Sequence, residues 1–348
     1  MNKNTLAKTP FFFIIGRPRS GTYLIRSLFD AHPNILIPTE CPLIMNMYPK
    51  YGDTKQWSKK KITEFTNDLF IHKELNKWTI DKKELREYLL TFVGETTFQT
   101  LIKAIYSKYK SQNPKKEILL LGDKNPVYST NTKKLFEIFP EAKYIHLTRD
   151  YRDNIQSILK VDFEAPYIPL ISYRWKYSAK RILKLKKQHP QSFYTIRYED
   201  FVSEPKRYFS DICKFLSIDY HEQVFDIRNQ KDSSFKKYPE KEVKKYHQSL
   251  KQPINTNKIG IWKKTLSDKQ VKMADSIIGK YAEQMGYERK FKGKNYFTVL
   301  KGLPGIIYGR SSYIFADLLD FMPYKIRIRI KYAGSILAII YKKINSLF

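Results

Sequence analysis

The sequence predicts an α/β fold, in which a central, mostly parallel sheet of five strands lies between two layers of helices. Five short strand-like runs alternate with loops and helical segments, at residues 11–15, 34–37, 118–121, 143–148 and 193–197. The first run, Phe11–Ile15, is apolar throughout, which is typical of a parallel strand covered on both faces. A chain of 348 residues is also long enough to bury one large core.

The first strand leads through a short loop into a helix. Gly16 and Pro18 end the strand, Gly21 permits a tight turn, and apolar residues then recur at helical spacing. The backbone N–H groups of such a loop and of the first helical turn point towards one place, where the helix dipole also favours an anion. Arg17 and Arg19 add positive charge there, so we expect a phosphate or a sulfate-like group to bind.

The spacing of Gly16 and Gly21 matches the G-x-x-x-x-G of a P-loop, and the fold is therefore predicted to be P-loop-like. Thr22 and Tyr23 stand where a nucleotide-hydrolysing P-loop has Lys and Ser/Thr, and the cation has moved to Arg19. This pattern predicts a phosphate cradle without a magnesium seat. The alternative is a turn that binds nothing, which would leave two neighbouring arginines to repel each other.

Two segments, residues 16–22 (GRPRSGT) and 28–33 (LFDAHP), resemble the opening of the sulfotransferase superfamily that uses 3′-phosphoadenosine 5′-phosphosulfate (PAPS). The similarity is greatest to the bacterial and tyrosylprotein sulfotransferase group, and it extends over residues 11–290. The resemblance implies that PAPS is the donor and adenosine 3′,5′-bisphosphate the product. It also implies that the loop binds the donor through Arg17, Pro18, Arg19, Ser20, Gly21, Thr22 and Tyr23.

Glu40 follows the second strand and lies between Pro38 and Pro42, which hold the backbone extended. Ligands bind at the carboxyl ends of strands in open α/β sheets. The resemblance implies that Glu40 is the general base that takes the proton of the acceptor hydroxyl. The arginine that often follows this glutamate in the family is absent, because Cys41 stands next. The alternative is a carboxylate on a surface loop.

Lys124 follows the third predicted strand, within residues 122–126 (GDKNP). A cation at this position can stabilise the charge that develops on a departing phosphate oxygen. The K-x-P pattern resembles the K-D-P of the family, which implies a catalytic role for Lys124 together with Arg19. The alternative is an ordinary solvated lysine.

Arg149 ends the fourth predicted strand, and Ser157 lies about two helical turns later. A guanidinium and a hydroxyl that meet in this way can hold a phosphate dianion. In the family this pair binds the 3′-phosphate of PAPS. The resemblance further implies that Tyr198 lies near the adenosine, that Trp262 is an adenine neighbour, and that Lys263 contacts the 3′-phosphate.

The composition is strongly basic, with 64 Lys and Arg against 34 Asp and Glu and a net charge of +30. This predicts attraction to anions without choosing among nucleotides, acidic saccharides, nucleic acid and anionic membranes.

The two cysteines indicate a reducing compartment. No leader-like segment and no apolar run of 18 residues is visible, so we expect a cytoplasmic, bacterial enzyme. No metal is expected, since no cluster of His, Cys and Asp ligands stands out.

We expect a catalytic domain over residues 1–295 and a basic amphipathic tail over 296–348. Residues 43–116 are predicted to be a helical insertion that could act as an acceptor lid, with Trp57, Trp78 and Phe98 as packing residues. Residues 229–258 are expected to form a mobile loop. The tail either packs on the body or associates peripherally with an anionic membrane.

These observations favour an enzyme that moves a sulfuryl group from PAPS to a hydroxyl of a saccharide, lipid, peptide or small molecule. The first alternative is a P-loop-type nucleotide kinase or hydrolase, which the missing Lys-Ser/Thr pair disfavours. The second is a non-catalytic basic protein that binds membrane or nucleic acid. It explains the charge but not the paired phosphate elements, and no nucleic acid partner is expected.

Overall fold

A computed structural model describes residues 1–229, 253–293 and 295–345. Its central sheet has five parallel strands in the order β2-β5-β1-β6-β7, which confirms the predicted fold class. These strands are β1 (Phe11–Ile15), β2 (Ile35–Leu36), β5 (Leu120–Lys124), β6 (Lys143–Thr148) and β7 (Phe193–Arg197). A separate antiparallel pair consists of β3 (Gln56–Trp57) and β4 (Gly94–Glu95).

Helices cover both faces of the sheet. In the first half of the chain they are α1 (Lys3–Lys8), α2 (Thr22–Ala31), α3 (Leu43–Tyr51), α4 (Lys59–Leu69), α5 (Lys82–Leu90), α6 (Phe98–Ser107), α7 (Thr132–Ile138) and α8 (Tyr151–Ile158). In the second half they are α9 (Ile168–Gln188), α10 (Tyr198–Ser203), α11 (Pro205–Leu216), α12 (Val224–Asn229), α13 (Trp262–Thr265), α14 (Asp268–Ile278), α15 (Tyr281–Gln284), α16 (Tyr296–Leu318) and α17 (Tyr324–Asn345).

Every residue of β1 is buried, because its side chains alternate between two hydrophobic clusters. Phe11, Phe13 and Ile15 face a cluster that includes the helices of the insertion. Phe12 and Ile14 face the opposite cluster, which contains the apolar side of α2 and residues of α10 and α11. This two-sided burial explains why the first strand is continuously apolar.

Two predicted boundaries were wrong. The third predicted strand, β5, begins two residues later than expected and runs through Gly122, Asp123 and Lys124, which were predicted to follow it. Gly122 can stay in the strand because the ring of Phe12 fills the space of its missing side chain. The sequence over residues 268–285 also predicts one helix that begins after Ser267, but the helix is broken at Gly279, which has φ +60°.

The insertion over residues 43–116 is mainly helical, as predicted, and also contains the β3–β4 pair. Trp57, Trp78 and Phe98 are buried in its core, which confirms that they are packing residues. The insertion therefore builds one wall of the body, while its role as a lid stays a prediction.

The C-terminal segment forms two helices that pack on the body through residues of both. Gly305 and Gly309 of α16 lie against α9, Gly302 lies against α14 and the start of α9, and Ile328 of α17 is buried in a core cluster. Within the described ranges, none of the helices combines the length and the apolar character needed to span a membrane. Most of the predicted mobile loop, residues 230–252, lies outside the described residues.

The place of His146 within a predicted strand favours a core or sheet histidine over a catalytic one, and the residue is buried within β6. Burial lowers its pKa to about 3. Between about pH 6.5 and pH 3 the unfolded chain therefore binds a proton that the folded protein does not. We expect His146 to make the free energy of unfolding fall by about 1.4 kcal/mol for each unit of decreasing pH in this window.

Urea unfolding of the wild type and of His146→Gln at pH 7.5 and at pH 5.5 measures this effect. The wild type should lose more stability on acidification than the variant, whatever their difference at neutral pH. Equal pH dependence of the two proteins would show that His146 is not held neutral in the fold.

Candidate active site

The loop between β1 and α2 has the geometry of an anion cradle. Gly21 is the N-cap of α2, has φ +91° and offers no capping side chain. The N–H groups of Thr22 and Tyr23 in the first turn have no acceptor within the helix. Arg19 also has a positive φ, of 69°, which a residue with a side chain adopts only at a local energetic cost. The loop therefore keeps a strained conformation that directs donors to one place.

Helix α8 and Arg149, which precedes it, hold this loop from the side. Arg149 donates from Nη1 to the carbonyl oxygen of Arg19 at 3.0 Å, and Nε of Arg19 donates to Oγ of Ser157 at 3.1 Å. Asn154 donates from Nδ2 to the carbonyl oxygen of Pro18 at 2.8 Å. The two predicted phosphate elements, which are about 130 residues apart in the chain, therefore meet in space. The sequence did not reveal Asn154, because a lone asparagine in a helix carries no motif.

The surroundings of Arg17 differ from those that the sequence predicted. Its Nη2 atom donates to both carboxylate oxygens of Glu164, at 3.0 and 3.1 Å, and both side chains are buried. Arg174 contacts the same carboxylate at 3.3 Å. The expectation that only a bound anion could offset Arg17 was therefore wrong, because Glu164 supplies the negative charge. Donor binding by Arg17 stays a prediction.

The ring of Tyr198 packs against Gly21 of the loop. A β-carbon on Gly21 would lie 2.5 Å from Cδ2 of the tyrosine ring, so only glycine fits there. The guanidinium carbon of Arg149 also lies 4.6 Å from the centroid of the same ring. Tyr198 thus stands beside both phosphate elements, where the resemblance places an adenosine neighbour.

The segment before α13 folds back onto α8. Arg149 donates from Nη2 to the carbonyl oxygen of Lys258 at 2.6 Å. The carboxylate of Asp153 accepts the backbone N–H groups of Gly260, at 2.7 Å, and Trp262, at 2.9 Å. The late segment is therefore tied to the same helix that holds the loop.

The two residues predicted to bind the donor from this segment have different surroundings. The guanidinium carbon of Arg152 lies 4.0 Å from the ring centroid of Trp262, so the indole is already stacked on one side. Lys263 follows it and is exposed. Both lie at the edge of the site rather than within the loop.

Glu40 and Lys124 form an ion pair at the carboxyl ends of β2 and β5. The side chain of Lys124 is buried, whereas that of Glu40 is 37% exposed, so the carboxylate can be reached from outside. The ammonium of Lys124 also lies 5.5 Å from the ring centroid of Tyr23, in the first turn of α2. The predicted base and the predicted cation are thus together, beside the anion cradle.

The backbone around Glu40 is fixed by side chains that sequence reasoning missed. Three neighbouring carbonyl oxygens each accept a hydrogen bond: that of Pro38 from Arg26 at 2.9 Å, that of Thr39 from Trp78 at 2.9 Å, and that of Cys41 from Asn125 at 3.2 Å. Arg26 is fully buried and is paired with Asp30 one helical turn later. The i, i+4 spacing of these two residues was the only sequence signal for this support.

Asp123 fixes the backbone on the other side of the pair. Its carboxylate is buried and accepts hydrogen bonds from the hydroxyls of Tyr106, at 2.7 Å, and Tyr128. It also accepts the backbone N–H of Lys124 at 2.6 Å. Burial raises the pKa of Asp123 to about 6, against the opposing effect of these hydrogen bonds. Lys124 therefore extends from a strand whose end is anchored within the core.

The features of this loop are those of a site that binds an anionic donor rather than those of a turn that binds nothing. Nε of Arg149 is buried and finds no acceptor in the described part of the chain. Only a glycine fits at position 21, under Tyr198, and the helix begins there without a side-chain cap. Among the described residues, no group of three or more His, Cys, Asp and Glu is placed to hold a metal ion.

An anion cradle beside a carboxylate–ammonium pair is the arrangement expected of an enzyme that transfers an anionic group. A profile of the Sulfotransferase family matches residues 10–222, and the chain belongs to this family. The chain is accordingly a sulfotransferase.

Named relatives agree with this assignment, and a solved structure shares the fold. The chain is 23% identical over 300 residues to protein-tyrosine sulfotransferase A of Caenorhabditis elegans, which covers 83% of this chain and 70% of that protein. It is 24% identical over 294 residues to protein-tyrosine sulfotransferase 1 of Danio rerio, which covers 82% of this chain and 75% of that protein. The sulfotransferase domain of the Synechococcus PCC 7002 olefin synthase shares the fold, with a TM-score of 0.52 and 20% identity over 80% of this chain and 95% of that one.

Proposed function

We propose that this sulfotransferase moves a sulfuryl group from PAPS to a hydroxyl group of its acceptor, with Glu40 as the general base. The observation that supports this most is the Glu40–Lys124 pair, which lies at the strand ends beside the loop. A carboxylate that can be reached from outside and a buried ammonium are the two groups that such a transfer needs.

The donor would be held by the cradle and by α8. In this proposal the loop residues Arg17–Tyr23 bind the 5′-phosphosulfate, and Arg149 with Ser157 binds the 3′-phosphate. Tyr198 lies beside the adenosine, with Trp262 and Lys263 at its outer edge. PAPS supplies the activated sulfuryl group and a phosphate as its leaving group. The separation of Arg149 and Ser157 by about two helical turns, with Arg19 bonded to both, supports one binding site rather than two.

Glu40 would act on the acceptor. Its exposed oxygen can accept the proton of an incoming hydroxyl, which raises the nucleophilicity of that oxygen at the moment of attack. The three hydrogen bonds to neighbouring carbonyl oxygens fix the backbone that carries Glu40, so little reorganisation of the backbone is needed.

Lys124 would contact two oxygens at once. An ammonium has three N–H donors, so Lys124 can keep its contact with Glu40 and also donate to an oxygen of the leaving phosphate. Arg19 adds a second positive charge from the loop. Both charges are in position before the reaction begins, which is how electrostatic stabilisation lowers a barrier. We therefore expect transfer to continue when metal ions are removed with EDTA.

The acceptor is proposed to carry a hydroxyl group. The relatives in Caenorhabditis elegans and Danio rerio are named as protein-tyrosine sulfotransferases, which makes a tyrosine peptide the first acceptor to test. Saccharide, lipid and small alcohol acceptors complete the panel, because Cys41 replaces the arginine that often follows the family's glutamate.

The proposal is tested by incubating the protein with PAPS that carries a labelled sulfuryl group and with each acceptor class, in EDTA. We expect the label in one acceptor class and an equal amount of adenosine 3′,5′-bisphosphate. The same reactions with labelled ATP and magnesium provide the control for phosphoryl transfer. Phosphoryl transfer from ATP, with no use of PAPS, would refute the proposal.

A further inference from the structure

The helix α16 packs on the body with its smallest residues. Gly302, Gly305 and Gly309 recur at helical spacing; Gly305 and Gly309 face α9, and Gly302 faces α14 and the start of α9. A β-carbon on Gly305 would lie 2.8 Å from the backbone nitrogen of Leu170, so the two helices are in close backbone contact. Apart from Tyr313, which stacks on Tyr177 of α9, most of the large side chains of the helix are therefore left for its sides and its outer face.

The outer face of α16 is apolar. Leu300, Ile307 and Ile314 are seven residues apart, so they lie in one line along the helix. Their side chains are 50 to 60% exposed, and those of Phe297, Phe315 and Leu318 beside them are exposed to a similar degree. The surface continues into the link to α17, where Phe321 is 88% exposed. We call this surface, residues 297–322, the α16 face.

An exposed apolar surface of this length needs an explanation. A helix of 23 residues is about 35 Å long at 1.5 Å per residue, and monomeric soluble proteins rarely expose a contiguous apolar surface of that extent. The ordinary pattern is reversed here, since the small residues lie inside and the bulky apolar residues outside.

The charges around this surface are positive. Lys301 and Arg310 are exposed on α16, and Lys325 and Arg329 are exposed at the start of α17. Over residues 296–345 the sequence has eight Lys and Arg against two Asp, and the whole chain carries +30. An apolar surface with basic residues around it matches the acyl and headgroup layers of an anionic bilayer.

We propose that the α16 face docks on the surface of an anionic lipid bilayer, with the helix lying in the plane of the membrane. A second copy of the chain is the other partner that could cover an apolar face. The charges argue against it, because two copies that each carry +30 repel each other, whereas acidic lipids attract the same residues.

The docked orientation has a consequence for the active site. On the inner side of α16, Tyr313 stacks on Tyr177 of α9 with ring centroids 4.3 Å apart. Burial raises the pKa of the Tyr313 phenol, and the charges of Arg17, Arg174 and Glu164 also act on it. Arg17 of the donor loop is therefore near the inner side of α16, on the side of the helix away from the proposed membrane surface.

Vesicle sedimentation tests the docking with the full chain. The vesicles are pure phosphatidylcholine or an equimolar mixture of phosphatidylcholine and phosphatidylglycerol. The test variant is Leu300→Glu/Ile307→Glu, at positions that are 60 and 59% exposed. The matched control is Val93→Glu/Leu119→Glu, which places the same charges at apolar positions 40 and 47% exposed in other parts of the body.

We expect the wild type and the control to sediment with the mixed vesicles and only weakly with pure phosphatidylcholine. The test variant should partition onto the mixed vesicles about tenfold less well or worse, since it loses apolar contact and gains charge at the contact surface. Thermal unfolding of all three proteins should agree, because the changes are on the surface.

Three results would overturn the proposal. One is a wild type that does not bind the mixed vesicles. Another is equal binding by the test variant and the control, which would assign the attraction to net charge alone. The third is a lipid-free dimer of the wild type that the test variant converts to a monomer, without vesicle binding, which would make the α16 face a contact between copies.

Discussion

Glu40→Gln is expected to lower kcat for sulfuryl transfer about 10²- to 10⁴-fold, because the amide cannot accept the proton of the acceptor hydroxyl. The change keeps the size of the side chain and leaves the cradle untouched. The affinity for adenosine 3′,5′-bisphosphate should therefore stay close to that of the wild type. Steady-state kinetics with the labelled donor and calorimetric titration of the product measure the two quantities separately.

Glu141→Gln is the matched control, since Glu141 is exposed and follows α7, away from the strand ends that carry the pair. Its kcat should equal that of the wild type. If Glu40→Gln kept more than half of the wild-type kcat, the base would be another group. If it lost product affinity as much as kcat, Glu40 would be a donor-binding residue instead.

Lys124→Met is expected to lower kcat about 10²- to 10³-fold, the usual effect of removing one charge-stabilising donor from a transition state. Because Lys124 contacts Glu40, the two residues should not act independently. The double variant is expected to be only slightly slower than the slower single variant. Single-turnover rates of the four proteins of this cycle measure the coupling.

Lys133→Met provides the control, because Lys133 is an exposed lysine of α7. It should leave the rate unchanged. Fully additive effects of Glu40→Gln and Lys124→Met on the logarithm of the rate would contradict the proposed pair. They would show that the contact between the two side chains has no part in the reaction.

The sheet and the loop could be predicted because their signals are local. A buried strand such as Phe11–Ile15 is visible in five consecutive residues, and Gly21 is visible from its spacing to Gly16. The pairing of Arg149 with the loop was also predicted, although only through the family resemblance. Physical reasoning places both at strand ends but does not bring two distant segments together.

The contacts that fix the site could not be predicted, because they join residues far apart in the sequence. Glu164 is 147 positions from Arg17, and its role depends on the path of the segment between α8 and α9. Asp123 was placed in a loop because Gly122 is typical of a strand end. The pairing of both residues with β1 keeps them in the strand, and the ring of Phe12 fills the space beside Gly122. Local patterns do not encode such choices.

The C-terminal segment was predicted only in outline. Its basic, apolar composition was visible, but the three glycines that mark its packed face were not recognised as a helix contact. Small residues at helical spacing are a packing signal only when a neighbouring helix is known. The structure supplies that neighbour in α9, and the exposed side of α16 then follows from geometry.

The central claim is that two anion-binding elements hold one donor between them. Calorimetric titration of the wild type with adenosine 3′,5′-bisphosphate and with 5′-AMP tests it most directly. We expect the bisphosphate to bind about 10- to 100-fold more tightly, the effect of one charge-assisted phosphate contact. We also expect Arg149→Ala to lose this preference while its affinity for 5′-AMP changes little. Equal affinities of the wild type for the two nucleotides would contradict the account.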